Sequence, residues 1–128
     1  MKLLAVTLAA CSLLAFVPQK AKKPADVRIV ETKAARDGGK ISVDGKVKVT
    51  GEKTLRGLVI VLDFRSPEKE VVTSQKTLVE EDSMERGREG VFHNEMRDPP
   101  RAVNYTIRAF DNHEKELSVA NAGPFIIE

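Results

Sequence analysis

Two histidines, His93 and His113, carry the side chains best suited to metal binding or proton transfer near neutral pH. Neither has a partner at ligand spacing, because the sequence holds no His-x-x-x-His and no cysteine near either one. His93 alternates with Phe92 and Asn94 in a strand-like stretch and is read as facing solvent, while His113 falls in the turn-like Asn112-His113-Glu114. A site would form only if folding brought the two histidines together, with Glu95 or Glu114 to complete it. The densest acidic cluster, Glu80-Glu81-Asp82 with Glu85 nearby, offers oxygens of the kind calcium takes. It lacks the Asp-x-Asp-x-Asp-Gly spacing that wraps a loop around the ion, so it reads as a solvated loop. Gly-x-Ser-x-Gly is absent, no serine is flanked by a plausible base, and Gly38-Gly39 after Asp37 signals a hairpin turn rather than a phosphate cradle. The expectation is a chain with no catalytic residue, no cofactor and no metal site, hence not an enzyme.

Two surface features remain. Lys40, Lys46 and Lys48, with Lys53 and Arg56, form an alternating basic face. It would suit an acidic partner or a polysaccharide, although such faces more often serve solubility. Asn104-Tyr105-Thr106 fits the glycosylation sequon but lies in a predicted strand and matters only in a eukaryotic source. The chain has 21 Lys plus Arg against 19 Asp plus Glu, and from Lys22 onward the balance is 19 against 19. A neutral, mixed surface carries no electrostatic footprint for nucleic acid and little for an anionic membrane.

The chain of 128 residues opens with an export-like segment. Met1-Lys2 leads into an apolar run over residues 3–17, then Pro18 and Gln19-Lys20-Ala21-Lys22-Lys23. The run falls short of the ~20 residues that cross a bilayer comfortably. Residues 1–19 are therefore read as a signal peptide with an open cleavage site, residues 20–26 as a charged linker containing Pro24, and residues 27–128 as one domain. The expected location is extracytoplasmic: periplasmic, cell-surface or secreted. Cys11, the only cysteine, lies in the leader, so the domain has no internal disulfide. Leu8-Ala9-Ala10-Cys11 resembles the lipobox of bacterial lipoproteins, which makes Cys11 the candidate lipidation site. Ordinary secretion and an uncleaved anchor stay open beside it, and membrane contact is expected only by one of these routes.

From Val27 onward apolar residues recur at period two. The alternation is clearest over residues 41–49, where Ile41, Val43, Gly45, Val47 and Val49 share one face and polar residues the other. Strands are predicted over residues 27–33, 41–49, 55–64, 70–79, 90–96, 103–111 and 116–127, separated by turn-forming Asp, Asn, Gly, Pro and Ser. Seven short strands without helices between them argue for an all-β, antiparallel sandwich. Residues 55–64 are apolar on both faces, with Leu58, Ile60, Leu62 and Phe64 on one and Val59 and Val61 on the other, so this strand belongs at the centre of a sheet. Residues 70–79 look like a polar edge strand, and Pro124 marks another edge or a bulge.

Val43-x-Gly45-x-Val47, Leu55-x-x-Leu58-Val59-Ile60-Val61-Leu62-Asp63, Val71-Val72 and Glu85-Arg86-Gly87 with Val91-Phe92 resemble the FxLYD type of immunoglobulin-like domain in exported bacterial proteins. The overlap covers residues 41–110, with Val59 and Leu62 where that family has Phe and Tyr, and Arg86 at the proline of its turn. The resemblance implies a seven-stranded immunoglobulin-like sandwich acting as a surface, accessory or interaction module. Tyr105, near the start of a strand, is expected to turn its hydroxyl onto nearby backbone, as in a tyrosine corner. On this reading the partner is another envelope or extracellular protein. The alternative is a domain that binds a small ligand, glycan or metal ion, though five Phe, one Tyr and no Trp leave few rings for sugar stacking.

Overall fold

Alternation at period two buries one side of each strand, and two such sides facing each other make the core. The computed structural model describes residues 24–128, and they form eleven strands without a helix. They are β1 (Val27–Asp37), β2 (Lys40–Val49), β3 (Leu55–Arg56), β4 (Val59–Arg65), β5 (Val71–Leu78), β6 (Ser83–Met84), β7 (Glu89–Arg97), β8 (Asn104–Phe110), β9 (Glu116–Leu117), β10 (Val119–Ala120) and β11 (Phe125–Ile126). The first sheet runs β10-β1-β2-β7 and the second β11-β8-β4-β5, with β9 also on β8; β3 and β6 pair separately at one end. The fold is an all-β sandwich. Strand β4 is central and β5 is at an edge, as their sequences indicate. Residues 1–19, expected to be a signal peptide, and with them Cys11, lie outside the described residues.

Three details depart from the simple reading, each for a local reason. Residues 55–64 are not one strand: Gly57 at φ 57° breaks them, and a Cβ there would lie 2.9 Å from that of Asn112. Leu55 and Arg56 then pair with Met84 and Ser83, in a stretch expected to be loop. The final expected strand, residues 116–127, becomes three pieces, interrupted first at Ser118 and then over residues 121–124, where Asn121 (φ 62°) and Gly123 (φ 102°) turn the chain. These pieces alternate between sheets, with β9 on β8, β10 on β1 and β11 back on β8. Pairing is also not wholly antiparallel, because β10 runs parallel to β1 and a parallel bridge joins Ala34 to Ile127.

The core interleaves Ile29, Ile41, Val43, Val47 and Phe92 of the first sheet with Ile60, Leu62, Phe64, Tyr105 and Ile107 of the second, all 2 % exposed or less. Gly45 belongs to this face because the ring of Phe92 occupies its side-chain space: a Cβ would sit 2.3 Å from Phe92 Cζ. Tyr105 packs between Phe64 and Phe125, with ring centroids 5.8 and 5.5 Å away. Its hydroxyl does not turn onto nearby backbone. It crosses to the other sheet and meets Thr32 Oγ1 at 2.8 Å. A β-bulge in β1 makes this contact: the register with β2 slips between Ile29 and Glu31, so Ile29 and Thr32 both face inward and Val30 is the extra residue.

Candidate functional site

The outer faces of the two sheets differ in chemistry. On the first sheet, Lys46 and Asp44 of β2 stand beside Glu31 and Lys33 of β1 and beside Val91 and His93 of β7. The charges pair: Lys46 Nζ lies 3.4 Å from Glu31 Oε1 and Lys40 Nζ 3.7 Å from Glu95 Oε1, and His93 Nδ1 shares a hydrogen bond with Asp44 Oδ1 at 2.6 Å. Exposed pairs of this kind contribute about 0–1 kcal/mol each, so their role is to keep a wet face soluble. Two members of the predicted basic face, Lys40 and Lys46, are thereby neutralised.

The second sheet presents three cross-strand rows outward from β5, β4 and β8: Leu78-Val59-Phe110, Lys76-Val61-Arg108 and Ser74-Asp63-Thr106. The first row is apolar, and Leu78 is 65 % exposed. In the third row Asp63 is buried, accepting hydrogen bonds from Arg108 Nε (2.7 Å), Arg108 Nη2 (3.0 Å) and Ser74 Oγ (2.6 Å). Burial pushes the Asp63 carboxyl up, but the hydrogen bonds from Arg108 and Ser74 and the charges of Arg108 and Arg65 outweigh it and hold the group below the usual carboxylate range. The same pairing raises Arg108. Anchored in this way, the guanidinium lies 5.5 Å from the centroid of the Phe110 ring. Val59, Val61, Lys76, Arg108 and Phe110, with Ser74, Asp111 and Glu114, line a depression of about 290 Å³. Its chemistry is apolar contact beside charged groups of both signs.

The sequence-predicted residues are dispersed. His93 sits on the outer face of β7, and His113 in the turn after β8, where its backbone N–H donates to Asp111 Oδ1 at 2.8 Å. They are not brought together. Glu81 pairs with Arg88 at 2.9 Å, which ties the acidic loop to the start of β7. Among the described residues no group of three or more His, Cys, Asp and Glu is placed to hold a metal ion. Asn104 is half-buried on β8, opposite Arg65 on one side and Ile126 on the other.

A second depression, about 210 Å³, opens at one end of the sandwich, with Leu55 and Leu117 beside Lys53, Arg56, His113 and Lys115. Two carboxylates in its wall are engaged by backbone. Asp26 Oδ2 accepts from the Ser118 N–H at 2.9 Å, and Asp111 Oδ1 accepts from the N–H groups of Lys115 (3.0 Å) and His113 (2.8 Å). Those two backbone bonds hold Asp111 below the ordinary carboxylate range.

Sequence reasoning singled out His93, His113 and the lysine face and missed the Asp63–Arg108 pair. The available signal was Val59 and Val61, whose side of β4 was apolar without a second layer to cover it.

No family model matches the chain, and no curated protein matches it. Solved structures do resemble it. IrmA from Escherichia coli is 12 % identical with a TM-score of 0.52, the match covering 84 % of this chain and 99 % of that one. The C-terminal domain of Wzt is 11 % identical with a TM-score of 0.53, covering 84 % and 76 %. A β-glucuronidase 2 of Bacteroides uniformis is 13 % identical with a TM-score of 0.51, covering 76 % of this chain but 14 % of that enzyme. At these identities the likeness is one of fold.

Proposed function

We propose that this chain is an exported, non-enzymatic, immunoglobulin-like module that makes protein contacts in the cell envelope or outside the cell. The observation that carries the reading is the contrast between the two outer faces, one laced with ion pairs and the other apolar around Val59, Leu78 and Phe110. A contiguous apolar surface rimmed by charge is what a protein partner covers. The export-like leader supports the location.

The test is crosslinking and affinity capture of the tagged protein in its own host, with mass spectrometry of the captured species and of the mature N-terminal peptide. Phe110→Ser serves as the control. Reproducible capture of one envelope protein, lost with Phe110→Ser while the fold melts as before, supports the reading. Capture that ignores the substitution removes this face from it.

A second reading, a binder of a small acidic ligand or glycan, is favoured by the end depression, where Lys53, Arg56 and Lys115 surround an apolar floor. Retention of a ligand sensitive to Arg56→Ala, with no protein captured, would move that reading to first place.

A further inference from the structure

Three segments far apart in the sequence are stitched together around the depression at the end of the sandwich. Asp26 O accepts from the N–H groups of Thr50 (3.0 Å) and Gly51 (3.1 Å), which holds the loop before β3 against the start of β1. Arg56 O accepts from Asn112 N–H at 3.2 Å, and Asp111 N–H donates to Lys115 O at 3.0 Å, so β3 is fixed to a closed turn after β8. The loop brings Lys53 to the rim, β3 brings Arg56 and the turn brings Lys115. Among the described residues none of these three cations lies within ion-pair distance of a carboxylate, whereas Arg36, Lys40, Lys46, Arg88, Arg101 and Arg108 each do. Asp26 and Asp111, the carboxylates of the wall, each turn one oxygen onto backbone N–H groups. With His113 neutral, the lining carries three positive charges against two negative. The backbones of the three cations are thus fixed by the fold while their charged ends have no ion-pair partner there.

We infer that this depression binds a phosphate group, free or esterified on a small ligand. The inference rests on the second reading above and narrows its acidic ligand to one class. A carboxylate is planar and is satisfied by one guanidinium fork, whereas a phosphate is tetrahedral and presents oxygens in several directions. Cations arriving from three separate stretches of chain surround the second shape and would leave two of their number idle around the first. A phosphate monoester near neutral pH carries about −1.5 to −2 charges, which the positive excess of the rim favours. Thr54 adds a hydroxyl donor beside Lys53. The depression, about 210 Å³, has room for the phosphate and a small body attached to it, and its floor of Leu55 and Leu117 offers that body apolar contact.

The test uses the protein as its host exports it, isotope-labelled in a Cys11→Ser background. It is titrated with sodium phosphate, glycerol phosphate and sodium acetate at constant ionic strength while amide shifts are followed. The expected result is saturable shifts confined to residues 51–57 and 111–117, in the millimolar range or tighter, with phosphate or its ester bound about tenfold more tightly than acetate. Arg56→Gln and Lys115→Gln each weaken binding about fivefold or more, and Lys33→Gln, on the outer face of the first sheet, leaves it unchanged. Either phosphate compound binding in this way supports the inference, and the tighter of the two tells an esterified group from the free anion. Acetate bound as tightly as phosphate, and weakened by Arg56→Gln, overturns the phosphate assignment while the acidic-ligand reading stands. Shifts that are absent, or that ignore Arg56→Gln and Lys115→Gln, overturn both.

Discussion

Tyr105 on β8 and Thr32 on β1 share a hydrogen bond of 2.8 Å between their hydroxyls, across the interior of the sandwich. It links the two sheets directly by side chains. Burial raises the Tyr105 phenol above its ordinary range, with the Thr32 contact acting in the opposite direction, so the group is neutral throughout the physiological range.

Tyr105→Phe is expected to destabilise the domain by about 1 kcal/mol, since the Thr32 hydroxyl loses the phenol and keeps only its bond to the Asp44 carbonyl at 3.0 Å. Thr32→Val removes both bonds and should cost at least as much. The double variant should cost clearly less than the sum, because both changes remove the Tyr105–Thr32 bond. Urea midpoints of the four proteins check this, and strict additivity would dissolve the pairing.

Arg108→Met leaves the buried Asp63 carboxylate with Ser74 as its remaining side-chain hydrogen-bond donor. The expected loss is about 1–3 kcal/mol at neutral pH. Because the same arginine stands over Phe110, ligand capture by the outer face should weaken in parallel.

The Asp63 carboxyl is depressed in the folded state relative to its usual 3.8, and Asp111 is depressed too. A group depressed on folding stabilises fully above its unfolded pKa, and that contribution is lost as pH falls through the folded value. Stability should therefore decline on acidification below about pH 4. Asp63→Asn should be less stable at neutral pH and show a flatter acid limb, as read from thermal melts between neutral and strongly acidic buffers. An unchanged acid limb would mean that Asp63 is not the group that titrates.

Gly45→Ala places a methyl group against the ring of Phe92. The expected cost is about 1–3 kcal/mol from overpacking in β2 and β7. Phe92→Leu alone should also destabilise, while the combination should recover part of the loss. Thermal melts of the three variants are sufficient.

Cys11→Ser is expected to leave export intact and the protein in the soluble extracytoplasmic fraction, as ordinary signal cleavage requires. Loss of membrane retention on that substitution would instead identify a lipoprotein.

How much of this was legible beforehand depends on the kind of signal each residue carries. The alternation from Ile41 to Val49 announces its strand and its buried face, because period two is a local property. Centrality of β4 follows from apolar residues on both sides, and the edge position of β5 from its polar middle. Tyr105 was recognisable as structural, but Thr32 was not recognisable as its partner. The bulge at Val30 that turns Thr32 inward is a mismatch between β1 and β2, and it is invisible in either strand alone. Breaks at Gly57 and Asn121 depend on backbone conformations that such residues permit without requiring. The outer-face site was hidden for a related reason. Val59 and Val61 read as the mark of a central strand, and only the assembled fold shows that their side is an outer face flanked by Arg108 and Lys76.

The segment that alternates between sheets has a consequence in time. Strand β1 receives its outer neighbour, β10, from residues some ninety positions later, and Asp26 is held by Ser118 across 92 residues. A ribosome that has released the chain only as far as β8 holds a sandwich with one side open, its β1 edge unpaired and Tyr105 without Phe125. Such a chain is slow to close. Sealing follows when β9, β10 and β11 arrive, so the order in which the polypeptide emerges acts as a clock that delays compaction until nearly all of it has been made.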